Sequence, residues 1–171
     1  MSQFSIAGLQ LDLDQGNNLG AIAKEVHFTK AVYPWVDMIL LSELCAYGPN
    51  IANAQPIPGK ASEFFANLAK VAGVYLVVGS IFVKEGDDIK NVTLTYDPNG
   101  VEIARYAKMY PFEPYEAGVT PGEEFRVFGI EGVGRFGISI CYDMWFPETT
   151  RTLAWMGAEV ILHPTMTGTI D

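Results

Sequence analysis

The chain has 171 residues, of which 49% are hydrophobic and 18% charged, a balance that suits one compact domain and excludes a disordered chain. Its 11 basic and 20 acidic residues give a net charge of −9, a field that repels nucleic-acid backbones and anionic lipid, so neither nucleic acid nor a membrane surface is an expected partner. The 2 cysteines exclude a disulfide-rich scaffold, and without a CxxC pair or any other ligand cluster no metal and no cofactor are expected.

Phe4–Leu9 is too short for a secretory h-region and runs into Asp12 and Asp14, while the longest uncharged apolar stretch, Val71–Val83, contains Gly73 and Gly79. The expectation is a cytoplasmic protein with free thiols. In chain order, Phe4–Gln10 reads as a strand. Leu19–Ala31 reads as a helix, with Leu19, Ile22, Ala23, Val26 and Ala31 at helical spacing after the caps Asn17 and Asn18. Asp37–Ser42 carries the unbroken run Met38-Ile39-Leu40-Leu41, the mark of a strand covered on both faces. Ala61–Ala72 reads as a helix turning Phe64, Phe65, Leu68 and Val71 inward, with Gly73 as its C-terminal stop. Val74–Val83 is predicted as one strand. Val92–Tyr96 and Val101–Ala107 are predicted as a hairpin around Asp97-Pro98-Asn99-Gly100. Tyr110–Gly122, with three prolines and two glycines, is a loop. Strands follow at Phe125–Phe128 and Arg135–Ile140, then a helix Glu148–Met156 ending at Gly157, and a strand Glu159–His163. The order predicts a mixed α/β sheet with helices on at least one face, in a single domain spanning 1–171.

Three polar residues close apolar strands, where α/β proteins present side chains to a crevice. Glu43 follows Met38–Ser42, Lys108 follows Val101–Ala107, and Cys141 follows Phe136–Ile140. Each has an ordinary reading: a solvent-exposed strand-end carboxylate, a lysine reaching out to water, a core cysteine. Together they make chemical sense. A carboxylate can take the thiol proton, an ammonium can hold an oxyanion, and a strand-to-helix turn can hold a nucleophile near free amide N–H groups. The competing arrangement is a Cys141–His163 pair, weakened because no polar residue that would orient the imidazole is evident. Cys45, two residues beyond Glu43, falls on the same side of an extended strand and reads as a structural thiol.

These segments resemble the nitrilase superfamily of carbon–nitrogen hydrolases. Leu40-Leu41-Ser42-Glu43-Leu44-Cys45-Ala46-Tyr47-Gly48 is similar to the block that carries the family's catalytic glutamate. Arg105-Tyr106-Ala107-Lys108-Met109-Tyr110-Pro111 is similar to its lysine block, and Gly137 to Glu148, around Cys141-Tyr142-Asp143, to its nucleophile block. Ala7–Gln10, Val78–Ser80 and Thr120–Gly122 add smaller matches in the same order. The resemblance implies an α-β-β-α sandwich and a Glu43–Lys108–Cys141 triad. It places a second glutamate at Glu116, with Glu113 as its competitor. It also implies hydrolysis of a small amide or N-carbamoyl substrate through a thioester, with Lys108 and the Tyr142 backbone N–H at the oxyanion. Cys-Tyr-Asp resembles the amidase and carbamoylase branches more than the nitrilases, which more often show Cys-Trp-Glu. Tyr47, Tyr115, Trp145 and His163 are the expected substrate contacts, while for Trp155 core packing is at least as good a reading. The alternatives are a nitrilase, a Cys–His acyl transferase, or an inert binding protein of this fold. Family members form homo-oligomers, dimers or larger, and are longer than this chain. The expectation is therefore an N-terminal portion of a larger hydrolase, incomplete at its C-terminus.

Overall fold

The structure, a computed structural model, describes residues 3–166. Its elements are β1 (Ile6–Leu9), α1 (Leu19–Val32), β2 (Met38–Leu41), a short 3-10 helix (Ile51–Asn53), α2 (Lys60–Ala72), β3 (Tyr75–Val77), β4 (Ile81–Glu85), β5 (Asp88–Tyr96), β6 (Glu102–Ala107), β7 (Arg126–Ile130), β8 (Gly134–Ile138), a second 3-10 helix (Cys141–Trp145), α3 (Pro147–Trp155) and β9 (Val160–Leu162). Two sheets result. The larger has the order β1-β2-β3-β5-β4, with β6 on the opposite edge of β5. Its β1, β2 and β3 are parallel, and β5 runs antiparallel to its three neighbours. The smaller sheet is β7-β8-β9, with β8 and β9 parallel.

The layers follow from which faces are apolar. Leu19, Ile22 and Val26 of α1 and Phe65, Leu68 and Ala69 of α2 pack on Ile39, Leu41, Leu76 and Leu94 of the large sheet. Its other face gives Met38, Val77, Ala104 and Tyr106 to a second core, shared with Phe128, Ile130, Phe136, Ile138 and Leu162 of the small sheet. This double use of β2 and β3 is why their apolar runs do not alternate. On the outside of the small sheet, α3 lies so close to β8 that a Cβ at Gly137 would stand 3.2 Å from Leu153 Cδ2. The result is the expected α-β-β-α sandwich.

Three expectations need correction. Val74–Val83 is two strands. The chain breaks at Val78–Ser80 because Gly79, at φ +70°, passes so close to the end of β2 that an added Cβ would collide with the Ser42 carbonyl oxygen. The break lets β4 pair with the first half of β5, while β3 pairs with its end. In α2, Val71 is 63% exposed, and the small residues Ala61, Ala69 and Ala72 are buried instead. Small side chains bring the helix close to the sheet, which turns the inward stripe away from Val71. Trp155 is 82% exposed rather than core, at the C-terminal end of a helix whose buried residues are Thr149 and Leu153.

Candidate active site

Each candidate residue is set by the break that ends its strand. After β2 the chain enters the turn Glu43–Tyr47, where Leu44 has φ +52° and its N–H donates to Ser80 Oγ (3.1 Å). After β6, the Lys108 N–H donates to the Asn91 carbonyl (2.8 Å) and the Lys108 carbonyl accepts from Gly122 (2.7 Å), fixing the lysine backbone on both sides. After β8, Cys141 takes φ +45°, a left-handed conformation that only a well-determined turn imposes on a side chain. Its N–H donates to the Pro164 carbonyl (3.0 Å), so β9 continues as the wall beside the thiol. Asp143 braces this turn from beneath. It is fully buried and accepts from the Ile140 N–H (2.8 Å), the Tyr106 hydroxyl (2.7 Å) and the Tyr110 N–H (2.9 Å). One carboxylate therefore ties the Cys141 turn to the chain on either side of Lys108.

Lys108 is 1% exposed and its ammonium bridges two buried carboxylates, Glu43 Oε1 at 2.9 Å and Glu116 Oε2 at 2.5 Å. Asn91 Nδ2 donates to the same pair, to Glu43 Oε1 at 3.0 Å and Glu116 Oε1 at 2.7 Å. The Phe112 N–H donates to Glu116 Oε2 (2.7 Å) and the Met166 N–H to Glu43 Oε2 (3.0 Å). Burial opposes the charge on Lys108, but the attraction of Glu43 and the hydrogen bonds to Glu116 and Glu43 outweigh it and hold the ammonium above its ordinary range. Burial, then the charge of Glu43, pushes the Cys141 thiol up, while Thr165 and Lys108 pull weakly the other way. The resting thiol is thus neutral at pH 7, with the Glu43 side chain beside it. The Tyr142 N–H lies in the first turn of a 3-10 helix, where the helix supplies no acceptor, leaving a donor next to the thiol.

The family model described as carbon-nitrogen hydrolase matches residues 6–170. The chain belongs to the carbon-nitrogen hydrolase family. It is 38% identical over 136 residues to a protein named nitrilase from Pyrococcus abyssi, covering 74% of this chain and 51% of that protein. It is 30% identical over 170 residues to a formamidase from Helicobacter acinonychis, covering 94% and 51%. The chain thus spans about half the length of the curated relatives it matches. Among solved structures it is similar to a nitrilase-superfamily protein of Saccharomyces cerevisiae (TM-score 0.86, 26% identity, 97% of this chain and 65% of the other). It is also similar to an amidase from Nesterenkonia (TM-score 0.86, 26% identity, 98% and 66%).

Within this hydrolase fold, Glu43, Lys108, Glu116 and Cys141 stand together, and the buried Glu116 rather than the exposed Glu113 meets the lysine. The substrate contacts expected from sequence are more scattered. Tyr47 and Tyr115 line a groove of about 410 Å³ with Gln15, Asn50 and Ala117, and its walls include none of Glu43, Lys108 and Cys141. Tyr115 and Trp145 are 74% and 78% exposed. Both connect to Tyr142 through ring contacts, Tyr115 by way of Phe112 and Trp145 directly. His163 stands on the strand beside Cys141 but shares a 2.8 Å hydrogen bond with Ser139 Oγ through Nδ1, the polar orienting group that sequence reading missed. Burial lowers its affinity for a proton, so the ring is neutral at pH 7. The Cys–His reading loses ground, because the thiol's surroundings are Glu43, Thr165 and Lys108. Asn91 and Asp143 were not singled out as site residues. Asn91 could have been suspected, as an amide side chain just before the alternating stretch Val92–Tyr96 of β5, which is buried throughout.

Cys45 was expected on the side of Glu43, but the chain leaves the extended conformation there, and its thiol points into the helix-side core towards the Val78 carbonyl. Burial pushes that thiol up to about 12. Iodoacetamide at pH 8 should therefore modify the half-buried Cys141 at least about 100-fold faster than Cys45, as read by peptide mass mapping. Both thiols sit above their ordinary range, so thiolate becomes more abundant as pH rises. Cys141 labelling should accelerate from pH 7 to 9, whereas a preformed thiolate would label at a pH-independent rate.

Proposed function

We propose that the protein hydrolyses the carbon–nitrogen bond of a small amide through a thioester on Cys141. The observation that carries this reading is the bridge of one buried ammonium between Glu43 and Glu116, with Glu43 also against the Cys141 thiol. Glu43 takes the thiol proton as sulfur attacks the amide carbon. The oxyanion is held by the Lys108 ammonium and the Tyr142 N–H. Collapse of this intermediate breaks the C–N bond, and the proton on Glu43 leaves with the amine or ammonia. Water then attacks the thioester, giving its proton to Glu43, and the carboxylic product departs as the thiol is restored. Glu116 keeps Lys108 charged and aimed.

Relatives named formamidase and solved structures named amidase favour a short amide, as does the Cys-Tyr-Asp sequence. The relative named nitrilase gives a second reading, a nitrile substrate. We place the enzyme in the cytoplasm as a homo-oligomer, and no helix among the described residues is long and apolar enough to cross a membrane. Ammonia release from formamide, short aliphatic amides, N-carbamoyl amines and matched nitriles separates the readings. Turnover of a short amide at least about 100-fold above its nitrile is the expected result. Nitrile turnover ahead of every amide would replace the amidase reading, and ammonia from none would favour the inert fold.

A further inference from the structure

Asn91 lies in β5, fully buried, and bonds both carboxylates at the base of the site through its side chain and the Lys108 backbone through its main chain. Its main-chain carbonyl accepts the Lys108 N–H (2.8 Å). Its side-chain amide nitrogen spends its two protons on Glu43 Oε1 and Glu116 Oε1 (3.0 and 2.7 Å). The opposite amide orientation would set an oxygen lone pair against two carboxylates, so charge alone fixes which way the amide faces. The remaining atom, Asn91 Oδ1, is buried with no hydrogen-bond partner among the described residues. A buried strand position gains nothing from an orphaned acceptor, and leucine would fill nearly the same space without one. The cost is explained if the two donors are needed where they are.

Their effect falls on the two oxygens of Glu43. Oε1 receives Lys108 and Asn91 and is saturated. Among the described residues, Oε2 receives the Met166 N–H, one donor where Oε1 has two, which leaves it an acceptor site. We propose that Asn91 is a positioning residue. Its amide clamps Glu43 and Glu116 so that Glu43 Oε2 is reserved for the proton of Cys141, while Lys108 keeps its third N–H for the oxyanion. This rests on the reading of Glu43 as the base. The charged and titratable groups around Glu43 are Lys108, Glu116 and Cys141, with His163 acting at longer range.

The test uses Asn91→Leu and Asn91→Asp beside Glu43→Gln, with rates expressed per Cys141 titrated by a thiol reagent so that misfolded protein does not count. In Asn91→Leu, kcat should fall roughly 100-fold with KM within about twofold, and the pH profile of kcat/KM should change. Asn91→Asp, nearly identical in shape, should lose more, since three carboxylates would share one ammonium. An inactive Glu43→Gln alongside Asn91 variants with wild-type kcat per titrated site and an unmoved pH profile would overturn the clamp while sparing the base. A lower Cys141 titre with those two readouts unchanged would do the same, since only folding would be affected. Full turnover by Glu43→Gln would instead remove the base assignment on which the clamp depends.

Discussion

Replacing Lys108 with methionine is expected to cost the fold about 3–5 kcal/mol and to leave no measurable turnover. Among the described residues, the ammonium is the one cation between Glu43 and Glu116, both almost fully buried. Methionine matches its length and removes the charge, leaving two buried carboxylates facing each other with only Asn91 and backbone donors between them. Breaking a buried pair is expensive because the surviving charge cannot return to water, and here two charges survive. The loss should appear as a fall in the urea midpoint with an unchanged slope. It should also depend on pH in a defined direction. Protonating one carboxylate relieves the repulsion, so the deficit relative to wild type should be largest near pH 7 and shrink as pH falls towards 5. A deficit below about 1 kcal/mol, or one that grows on acidification, would mean the cluster is not the charged bridge described above.

Cys141→Ala separates chemistry from folding. The thiol is half-buried, takes part in no ion pair among the described residues, and sits at a φ that alanine tolerates as well as cysteine does. Stability should change by no more than about 1 kcal/mol, while the hydrolysis rate falls by roughly 10⁴-fold or more, as when an enzyme loses its covalent nucleophile. The two variants therefore fail in different ways: Lys108→Met through both fold and rate, Cys141→Ala through rate alone. If His163 were the base, His163→Ala would match Cys141→Ala in rate and Glu43→Gln would not.

The mixed α/β character was readable because it rests on local apolar pattern, while the α-β-β-α layering came from the family resemblance. The run Met38–Leu41 could only be covered on both faces, and Gly73 does end α2 in a left-handed conformation (φ +63°). What sequence pattern could not supply were contacts made across the fold. The division of Val74–Val83 depends on a collision between Gly79 and Ser42. The burial of Glu43 and Lys108 depends on each finding the other across 65 positions, so neither apolar run alone could tell a buried ion pair from two exposed strand ends. Family resemblance marked Glu43, Lys108, Glu116 and Cys141, residues that could carry the chemistry. It did not point to Asn91, Asp143 or Ser139, which hold those groups in place and whose roles appear only when side-chain partners are known. The burial of the aromatic residues was not legible for a further reason. Tyr115, Trp145 and Trp155 are large and apolar, yet all lie at the surface, and apolar character alone does not say which protein face or ligand a ring meets.

A covalent intermediate on Cys141 can be trapped by acid-quenched peptide mass analysis during turnover of a slow short-chain amide. An acyl group is expected on the peptide containing Cys141, removable by hydroxylamine and absent from an inactive Cys141→Ala. Steady turnover with no acyl group at Cys141, or turnover surviving in Cys141→Ala, would contradict it.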